Sequence, residues 1–167
     1  YDAVKYLYEN NIMNGTSRTE FSPNAELTRG MVVTILYRME AEPSTSGAKT
    51  LSDVKNSLYY SKAVDWAAEK NIVNGFSDGT FKPEQLVTRE QLATIISRYA
   101  VSKGIAVYEA ANALASTDVV SAWARSNVAW AAAEGILAKD QTANTTKNAT
   151  RAEVATAIYI YLTKTAK

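Results

Sequence analysis

Three arginines recur at matching places along this chain. Arg29, Arg89 and Arg151 each follow a threonine, and they lie 60 and then 62 residues apart. A fixed period of this length is the signature of a repeat protein, in which each unit buries its apolar face against its neighbours. Each arginine is predicted to open a helix, where the helix dipole disfavours a cation by about 0.3–1 kcal/mol. The recurrence in register therefore indicates that each arginine has an anionic partner.

The anionic partner of each arginine can belong to a ligand or to the chain itself. A guanidinium beside the free amides of a helix start is suited to hold a carboxylate or a phosphate. Alternatively, each arginine is a structural clip to a glutamate of the chain, for which the candidates are Glu26, Glu84, Glu90 and Glu153. The residues alone leave both alternatives open.

Helix signals surround the three arginines. Apolar residues at helical spacing predict helices at about 2–12, 28–40, 58–71, 88–102, 119–134 and 150–164. The second helix of each unit is predicted to begin at a threonine N-cap, at Thr28, Thr88 and Thr150. Gln91 and Glu153 complete capping boxes in the second and third units, whereas the first unit has Met31 at that place.

The aromatic residues fall into two groups. Trp66 and Trp130 lie on helical stripes beside alanines, a pattern that favours packing in the core. Tyr59 and Trp123 come earlier in their units, near the predicted helix starts. Aromatic rings at those places could stack on sugar rings, so these two residues are candidates for a binding groove.

The acidic residues give weaker signals. Asp53 and Asp118 each precede a predicted first helix, which they are predicted to cap. Asp78 lies in a Ser-Asp-Gly loop, where it either forms a turn or accepts hydrogen bonds from sugar hydroxyls. No spacing singles out two carboxylates for glycoside cleavage, and the loop lacks the alternating oxygen ligands of a calcium site. We therefore predict no enzymatic activity.

Composition excludes several classes of function. The 167 residues contain no cysteine and no histidine, which removes imidazole-dependent triads, cysteine nucleophiles and Cys/His metal sites. A net charge of +1 gives no global field to attract nucleic acid. No apolar run approaches the roughly 20 residues of a membrane-spanning helix. The sequence thus predicts no cofactor, no metal, no nucleic-acid partner and no insertion into a membrane.

Residues 52–91 resemble an S-layer homology (SLH) repeat. The resemblance rests on Ser-Asp-Val at 52–54, Ala-Val-x-Trp-Ala at 63–67, Asn-Ile-Val-Asn-Gly-Phe-Ser-Asp-Gly-Thr-Phe-x-Pro at 71–83 and Val-Thr-Arg-Glu-Gln at 87–91. The third unit has Thr-Asp-Val at 117–119 and the signature Thr-Arg-Ala-Glu at 150–153, whereas the first has Thr-Arg-Gly-Met at 28–31. Three such repeats imply an all-α fold of helix–loop–helix units, arranged as a pseudo-threefold, three-pronged spindle.

The resemblance also predicts how the chain is divided. We expect repeats at 1–42, 51–101 and 116–167, joined by linkers at 43–50 and 102–115, with a short helix in the second linker. All three are expected to form one compact domain. The Asp-Val start of the first repeat would fall before Tyr1, so we expect a fragment cut inside that repeat or a repeat whose leading residues were lost.

What the resemblance implies about function is a non-catalytic, secreted module at the bacterial cell wall. In SLH proteins the grooves between repeats bind secondary cell-wall polysaccharide, commonly its pyruvylated N-acetylmannosamine end, and the signature arginine contacts the pyruvyl carboxylate. Carried onto this chain, the ligand-binding residues are Arg29, Arg89, Arg151, Asp78, Gly15, Gly75, Tyr59 and Trp123. The resemblance thus favours the ligand alternative for the arginines.

Departures from the family pattern predict unequal grooves. Arg18 stands where the second unit has Asp78, and the loop of the third unit lacks both the glycine and the aspartate. We therefore expect at least one groove to be weak or empty. The competing hypothesis is a structural or protein-interaction module that assembles with neighbouring S-layer subunits and uses its arginines as internal clips.

Overall fold

The structure, a computed structural model, describes residues 1–47 and 51–165. Residues 48–50 of the predicted first linker, and 166 and 167 of the third predicted repeat, lie outside the described residues. The helices are α1 (Asp2–Glu9), α2 (Arg29–Met39), α3 (Ser61–Glu69), α4 (Arg89–Ser102), α5 (Arg125–Ala133), α6 (Lys139–Thr142) and α7 (Arg151–Thr165), with 3-10 turns at Ala111–Ala113 and Ala122–Ala124. Within the described ranges there is no β-strand, so the predicted all-α fold is confirmed.

The long second helix of each repeat begins where the sequence predicts. The Thr28 side chain accepts a hydrogen bond from the amide three residues ahead, and Thr88 and Gln91 form a reciprocal capping box. The Glu153 amide donates to the Thr150 hydroxyl at 3.3 Å, while the Thr150 amide donates to the Glu153 carboxylate at 3.2 Å. Because these caps fix the first helical residue, each signature arginine is held at an equivalent place in its repeat.

The first helices of the second and third repeats are shorter than predicted, and the predicted aspartate caps are wrong. Asp53 instead accepts hydrogen bonds from the amides of Phe81 and Lys82, both at 2.7 Å. Asp118 accepts one from the amide of Ala115 at 2.8 Å. Asp53 therefore ties the start of the second repeat to that repeat's own loop, and α3 begins only after this contact.

Three short segments ahead of the long helices meet at the centre of the molecule. The amide of Leu27 donates to the carbonyl of Ala149 at 3.3 Å, that of Ala149 to Val87 at 2.8 Å, and that of Val87 back to Leu27 at 2.9 Å. All three residues are buried. Each repeat thus donates to one neighbour and accepts from the other, which closes a ring with the expected pseudo-threefold pattern.

Helix pairs extend outward from this ring. Each long helix packs against the first helix of the next repeat: α2 on α3, α4 on α5, and α7 on α1. Trp66 and Trp130 are 4% and 3% exposed, so their predicted place in the core is confirmed. The Trp66 ring packs between those of Tyr37 and Tyr99, at centroid distances of 5.7 and 6.3 Å. Because α7 returns to α1, the last repeat packs on the first.

Glu40 joins the end of the first repeat to the second. Its carboxylate accepts a hydrogen bond from the Tyr99 hydroxyl and lies 3.0 Å from the Lys103 ammonium. Burial alone would raise the pKa of Glu40, but the hydrogen bonds from Tyr99 and Lys103, together with the lysine charge, hold it below the ordinary glutamate value. The folded state therefore favours the ionised carboxylate.

Replacing Glu40 by glutamine should reduce the acid sensitivity of the fold. A lowered pKa in the folded state contributes stability above the ordinary glutamate pKa, and this stability is lost as the pH falls through the lowered value. Urea unfolding of Glu40→Gln should therefore show lower stability at neutral pH and a smaller decrease on acidification. Glu9→Gln is the control, because its pair with Lys5 at 3.9 Å is exposed. Equal acid sensitivity in parent and Glu40→Gln would contradict this role.

Candidate functional site

One groove lies where the three repeats meet beside α4. It has a volume of about 250 Å³, and its lining includes Arg29, Gly75, Gln91, Thr94, Arg98 and Trp123. Arg29 comes from the first repeat, the loop and α4 from the second, and Trp123 from the third. We call it the Trp123 groove. The Trp123 side chain is 58% exposed, as expected of a groove residue rather than a core residue.

A second groove of similar shape lies beside α2. It has a volume of about 240 Å³, and its lining includes Gly15, Met31, Thr34, Arg38, Tyr59 and Arg151. We call it the Tyr59 groove, after a tyrosine that is 60% exposed. Each of these residues occupies the place of its counterpart in the Trp123 groove. The third repeat now supplies the signature arginine, the first supplies the loop and helix, and the second supplies the aromatic ring, so each groove requires all three repeats.

Arg29 is a nearly buried cation in the Trp123 groove. It is 7% exposed, its Nε donates to the carbonyl of Phe81 at 2.9 Å, and its guanidinium lies 4.9 and 4.6 Å from the ring centroids of Phe76 and Phe81. Burial lowers the pKa of Arg29 to about 10, although the charge of Asp53 partly opposes this. Arg29 remains protonated at neutral pH, and it makes no ion pair with any described carboxylate.

Arg151 repeats this arrangement in the Tyr59 groove. Its Nε donates to the carbonyl of Phe21 and its Nη2 to that of Asn14, both at 2.7 Å. The guanidinium lies 4.7 Å from the Phe21 ring centroid. Burial lowers the pKa of Arg151, and no acidic residue of the described ranges pairs with it. Both grooves therefore contain an at least partly desolvated guanidinium that is held by a backbone carbonyl and an aromatic ring and that makes no ion pair with any described carboxylate.

Arg89 behaves differently, because it is clipped to Glu153. Its Nε and Nη2 donate to the two carboxylate oxygens at 3.2 and 2.5 Å, and its Nη1 donates to the carbonyl of Asn144 at 3.2 Å. The two charged side chains are only 15% and 16% exposed. Hydrogen bonding to Glu153 raises the pKa of Arg89. The contact that the clip alternative predicts is thus present for this arginine, and Arg89 lines neither of the two grooves.

The difference among the arginines follows from one position in each long helix. Glu153 is the third residue of α7, where α2 has Met31 and α4 has Gln91. Met31 lies in the groove of Arg151 and Gln91 in that of Arg29. Neither Met31 nor Gln91 is acidic. At this helix position only the third repeat has a carboxylate, that of Glu153, which neutralises Arg89 of the second repeat.

The amides at the helix starts are not free, so that part of the sequence prediction is wrong. The first two amides of each long helix donate at 2.7–3.0 Å to backbone carbonyls of a neighbouring repeat. The acceptors are Gln85 and Pro83 for α2, Lys147 and Thr145 for α4, and Ala25 and Pro23 for α7. These bonds join repeats that are distant in sequence. The guanidinium, and not the helix terminus, is therefore what each groove offers an anion.

The loop residues have structural tasks. Gly15 and Gly75 line the two grooves, but Asp78 lines neither. One Asp78 oxygen accepts hydrogen bonds from the Thr80 amide and hydroxyl at 3.0 and 2.6 Å, and the carboxylate lies 3.4 Å from the Lys82 ammonium. These contacts favour the turn-forming interpretation of Asp78 over the sugar-binding one.

Substituting Gly15 by alanine should open the loop of the Tyr59 groove. A Cβ atom at Gly15 would lie 2.6 Å from the backbone carbonyl oxygens of both Ser17 and Glu20, so the backbone must move. We expect a loss of about 1–3 kcal/mol in unfolding free energy, as for other overpacked sites. Thermal and urea unfolding measure it. Gly75→Ala is the matched comparison and should cost less, because its contact at 2.6 Å is the flexible end of Leu51 and its nearest backbone oxygen, that of Thr80, is 3.0 Å away. The reverse order would contradict this explanation.

Two groove residues were missed in the sequence, namely Arg38 and Arg98. Each lies nine residues after the signature arginine that begins its own long helix, and the two are 60 residues apart. The corresponding place in the third repeat is Ile160. Aligning the long helices would have revealed this second recurrence, which is present in two repeats and absent from the third.

Glu90 also has a task that the sequence did not reveal. It was a candidate clip for an arginine, but the structure places its carboxylate against the amide and hydroxyl of Ser121, at 3.1 and 2.8 Å, and the hydroxyl of Thr145, at 3.1 Å. The Glu90 side chain is buried. Because Ser121 lies two residues before Trp123, this contact positions the segment that carries the aromatic ring of the groove.

Comparison with known proteins agrees with this architecture. The family model of the S-layer homology domain matches residues 1–30, 50–93 and 117–155, which is more than half of the chain. The chain belongs to the S-layer homology domain family. The resemblance noted in the sequence is thereby confirmed.

Similar proteins include enzymes and surface proteins. An amylopullulanase of Thermoanaerobacterium thermosulfurigenes is 31% identical over 98% of the chain and 9% of its own length. A cellulosome-anchoring protein of Acetivibrio thermocellus is 26% identical over 58% of the chain and 22% of its own length. A surface layer protein of Brevibacillus choshinensis is 31% identical over 57% of the chain and 9% of its own length. The aligned region makes up less than a quarter of each relative.

The family and these relatives identify the chain as an anchoring module of the bacterial cell surface. SLH domains are non-catalytic anchoring units, and they form only a small part of the relatives that are named as enzymes. No helix in the described part of the chain is both long and apolar enough to cross a membrane.

Proposed function

We propose that this SLH module attaches a larger protein to the bacterial cell wall by binding an acidic secondary cell-wall polysaccharide in the Trp123 and Tyr59 grooves. One observation carries the proposal: the guanidinium groups of Arg29, which is nearly buried, and Arg151, which is partly buried, make no ion pair with any carboxylate of the described residues. A desolvated cation gains free energy when an anion pairs with it in a site of low dielectric.

The surroundings of the arginines fit a sugar that bears a carboxylate. Each Nε is fixed by a backbone carbonyl, which orients the planar guanidinium at the groove. The exposed rings of Trp123 and Tyr59 offer apolar faces on which a sugar ring can stack. The pyruvylated N-acetylmannosamine end of the polysaccharide supplies both a carboxylate and a sugar ring. An unpyruvylated sugar would leave the arginine without its charge partner, which provides selectivity.

We further propose that two grooves bind glycan and that the Arg89 position does not. Glu153 already supplies the carboxylate that Arg89 requires, and the two form a nearly buried pair. A glycan carboxylate would have to displace Glu153 from this pair and from its cap on α7. Because a wall presents many glycan chains at once, two grooves of modest affinity are sufficient for firm attachment.

Sedimentation with purified cell walls tests this function. The module should sediment with walls that retain their pyruvyl groups and remain in solution with walls from which these groups have been removed. Equal sedimentation with both preparations would contradict recognition through the arginines. Failure to sediment with either would favour the alternative function in surface-layer assembly, where neighbouring S-layer subunits are the partners.

A further inference from the structure

Arg38 and Arg98 are cations for which the proposed function has so far given no role. Each lies on the long helix that forms one wall of a groove, and each lines that groove. Both are half-buried. In the part of the chain that the structure describes, neither side chain makes an ion pair or a hydrogen bond.

The charges in the two grooves are strongly unbalanced. Each groove contains two guanidinium groups, and none of the described residues that line it is acidic. The whole chain has 17 acidic residues and a net charge of +1, so this local excess does not follow from composition. Two like charges that share a partly desolvated groove repel each other. A ligand with two acidic groups would relieve this repulsion, whereas a single carboxylate would relieve only part of it.

The third repeat provides an internal comparison. Its long helix has Ile160 where the other two have Arg38 and Arg98. The signature arginine that contacts this helix, Arg89, is neutralised by Glu153. The second arginine thus occurs only where the first arginine lacks a partner. This pairing indicates that the two cations of a groove serve the same ligand.

The two cations are also separated along the groove. Arg98 follows Gln91 by seven residues on α4, which is two helical turns or about 10 Å along the helix axis. Arg38 has the same relation to Met31 on α2. Gln91 lines its groove together with Arg29, and Met31 lines its groove together with Arg151. Because Gln91 and Met31 lie in the first turn of their helices, Arg98 and Arg38 lie further along each groove than Arg29 and Arg151.

Building on the proposed function, we propose that each groove binds two acidic groups of one glycan. A carboxylate pairs with Arg29 or Arg151, and a second acidic group, either a carboxylate or a phosphate, pairs with Arg98 or Arg38. The ligand is then a di-acidic oligosaccharide segment and not a single acidic sugar. The affinity for such a segment should decrease steeply as salt is added, because both contacts are between charges.

Three synthetic glycans test this proposal by calorimetric titration. The first is the methyl glycoside of pyruvylated N-acetylmannosamine, which has one acidic group. The second joins the same sugar to glucuronic acid, and the third joins it to a sugar phosphate. The parent should bind one or both of the di-acidic glycans about tenfold more tightly than the first, as a charge-assisted contact allows. The glycan that gains affinity identifies the second group as a carboxylate or a phosphate.

The informative variant is Arg38→Gln/Arg98→Gln, which alters both grooves together. Glutamine is a good helix former, so the helices should persist, and thermal unfolding checks this. The variant should lose the tenfold gain, whereas its affinity for the first glycan should fall much less, because the carboxylate of that glycan pairs with Arg29 or Arg151 and not with the replaced arginine. Arg18→Gln/Arg125→Gln has the same change in charge at exposed positions outside both grooves, and it should retain the gain.

The outcomes separate this inference from the proposed function. If the parent binds all three glycans equally, or if the double variant keeps the gain, the second acidic site does not exist. If the double variant weakens the first glycan as much as the others, Arg38 and Arg98 only support the groove, which also overturns the inference. If the parent binds none of the three glycans, the proposed function fails together with it.

Discussion

Replacing both Arg29 and Arg151 by glutamine is expected to weaken the binding of pyruvylated wall polysaccharide strongly at both grooves. Each arginine is the desolvated cation of its groove, and glutamine cannot supply a charge to the glycan carboxylate. Hydrogen bonds between charged groups contribute about 1.5–3 kcal/mol each, so we expect a loss of roughly 100-fold in affinity at each groove. Calorimetric titration with a pyruvylated polysaccharide fragment measures this loss.

The single variants make the prediction sharper. The two grooves share no arginine, so Arg29→Gln and Arg151→Gln should each reduce the number of bound fragments from two to one. Arg29→Lys should give an intermediate affinity, because lysine keeps the charge but not the planar fork. Arg125→Gln, at an exposed position, is the control. Two undiminished sites in both single variants would exclude the arginines from binding.

Replacing Arg89 by alanine is expected to destabilise the fold and leave both grooves functional. The substitution leaves Glu153 nearly buried without its cation, and breaking such a pair costs about 3 kcal/mol. Urea unfolding measures this loss. Calorimetric titration at a temperature where the variant is folded should still find two sites, because Arg89 lines neither groove.

A double-mutant cycle isolates the contribution of the pair. Glu153→Ala should also destabilise the module, through loss of the pair and of the cap on α7. Arg89→Ala/Glu153→Ala should cost less than the two single substitutions together, because the double variant leaves no unpaired charge. If instead Arg89→Ala is as stable as the parent and binds one fragment fewer, Arg89 is a ligand-binding residue and the clip is incidental.

The helix framework could be predicted because its signals are local. Thr28, Thr88 and Thr150 lie next to the helix starts that they cap, so the beginnings of α2, α4 and α7 could be inferred to within one residue. Asp53 and Asp118 show the limit of the same rule. An aspartate satisfies whichever amides the fold brings to it, and these amides belong to loops and not to helix starts.

The fates of the arginines could not be predicted, because their partners are distant in sequence. Arg89 and Glu153 are 64 residues apart, and Arg151 and Phe21 are 130 apart. The sequence offered a ligand or a clip as alternatives for all three arginines, and the structure divides them. The expectation of unequal grooves rested on the loops and on the missing start of the first repeat, whereas the structural difference lies in the helix residue at Met31, Gln91 and Glu153.

The number of glycan fragments bound per chain is the decisive quantity for this module. A calorimetric titration of the parent should be made with a short wall-polysaccharide fragment, with and without its pyruvyl group. We predict two fragments per chain for the pyruvylated form and no binding for the other form. Three equivalent sites would contradict the closure of the Arg89 position by Glu153. Equal binding of both forms would contradict recognition of a carboxylate by Arg29 and Arg151.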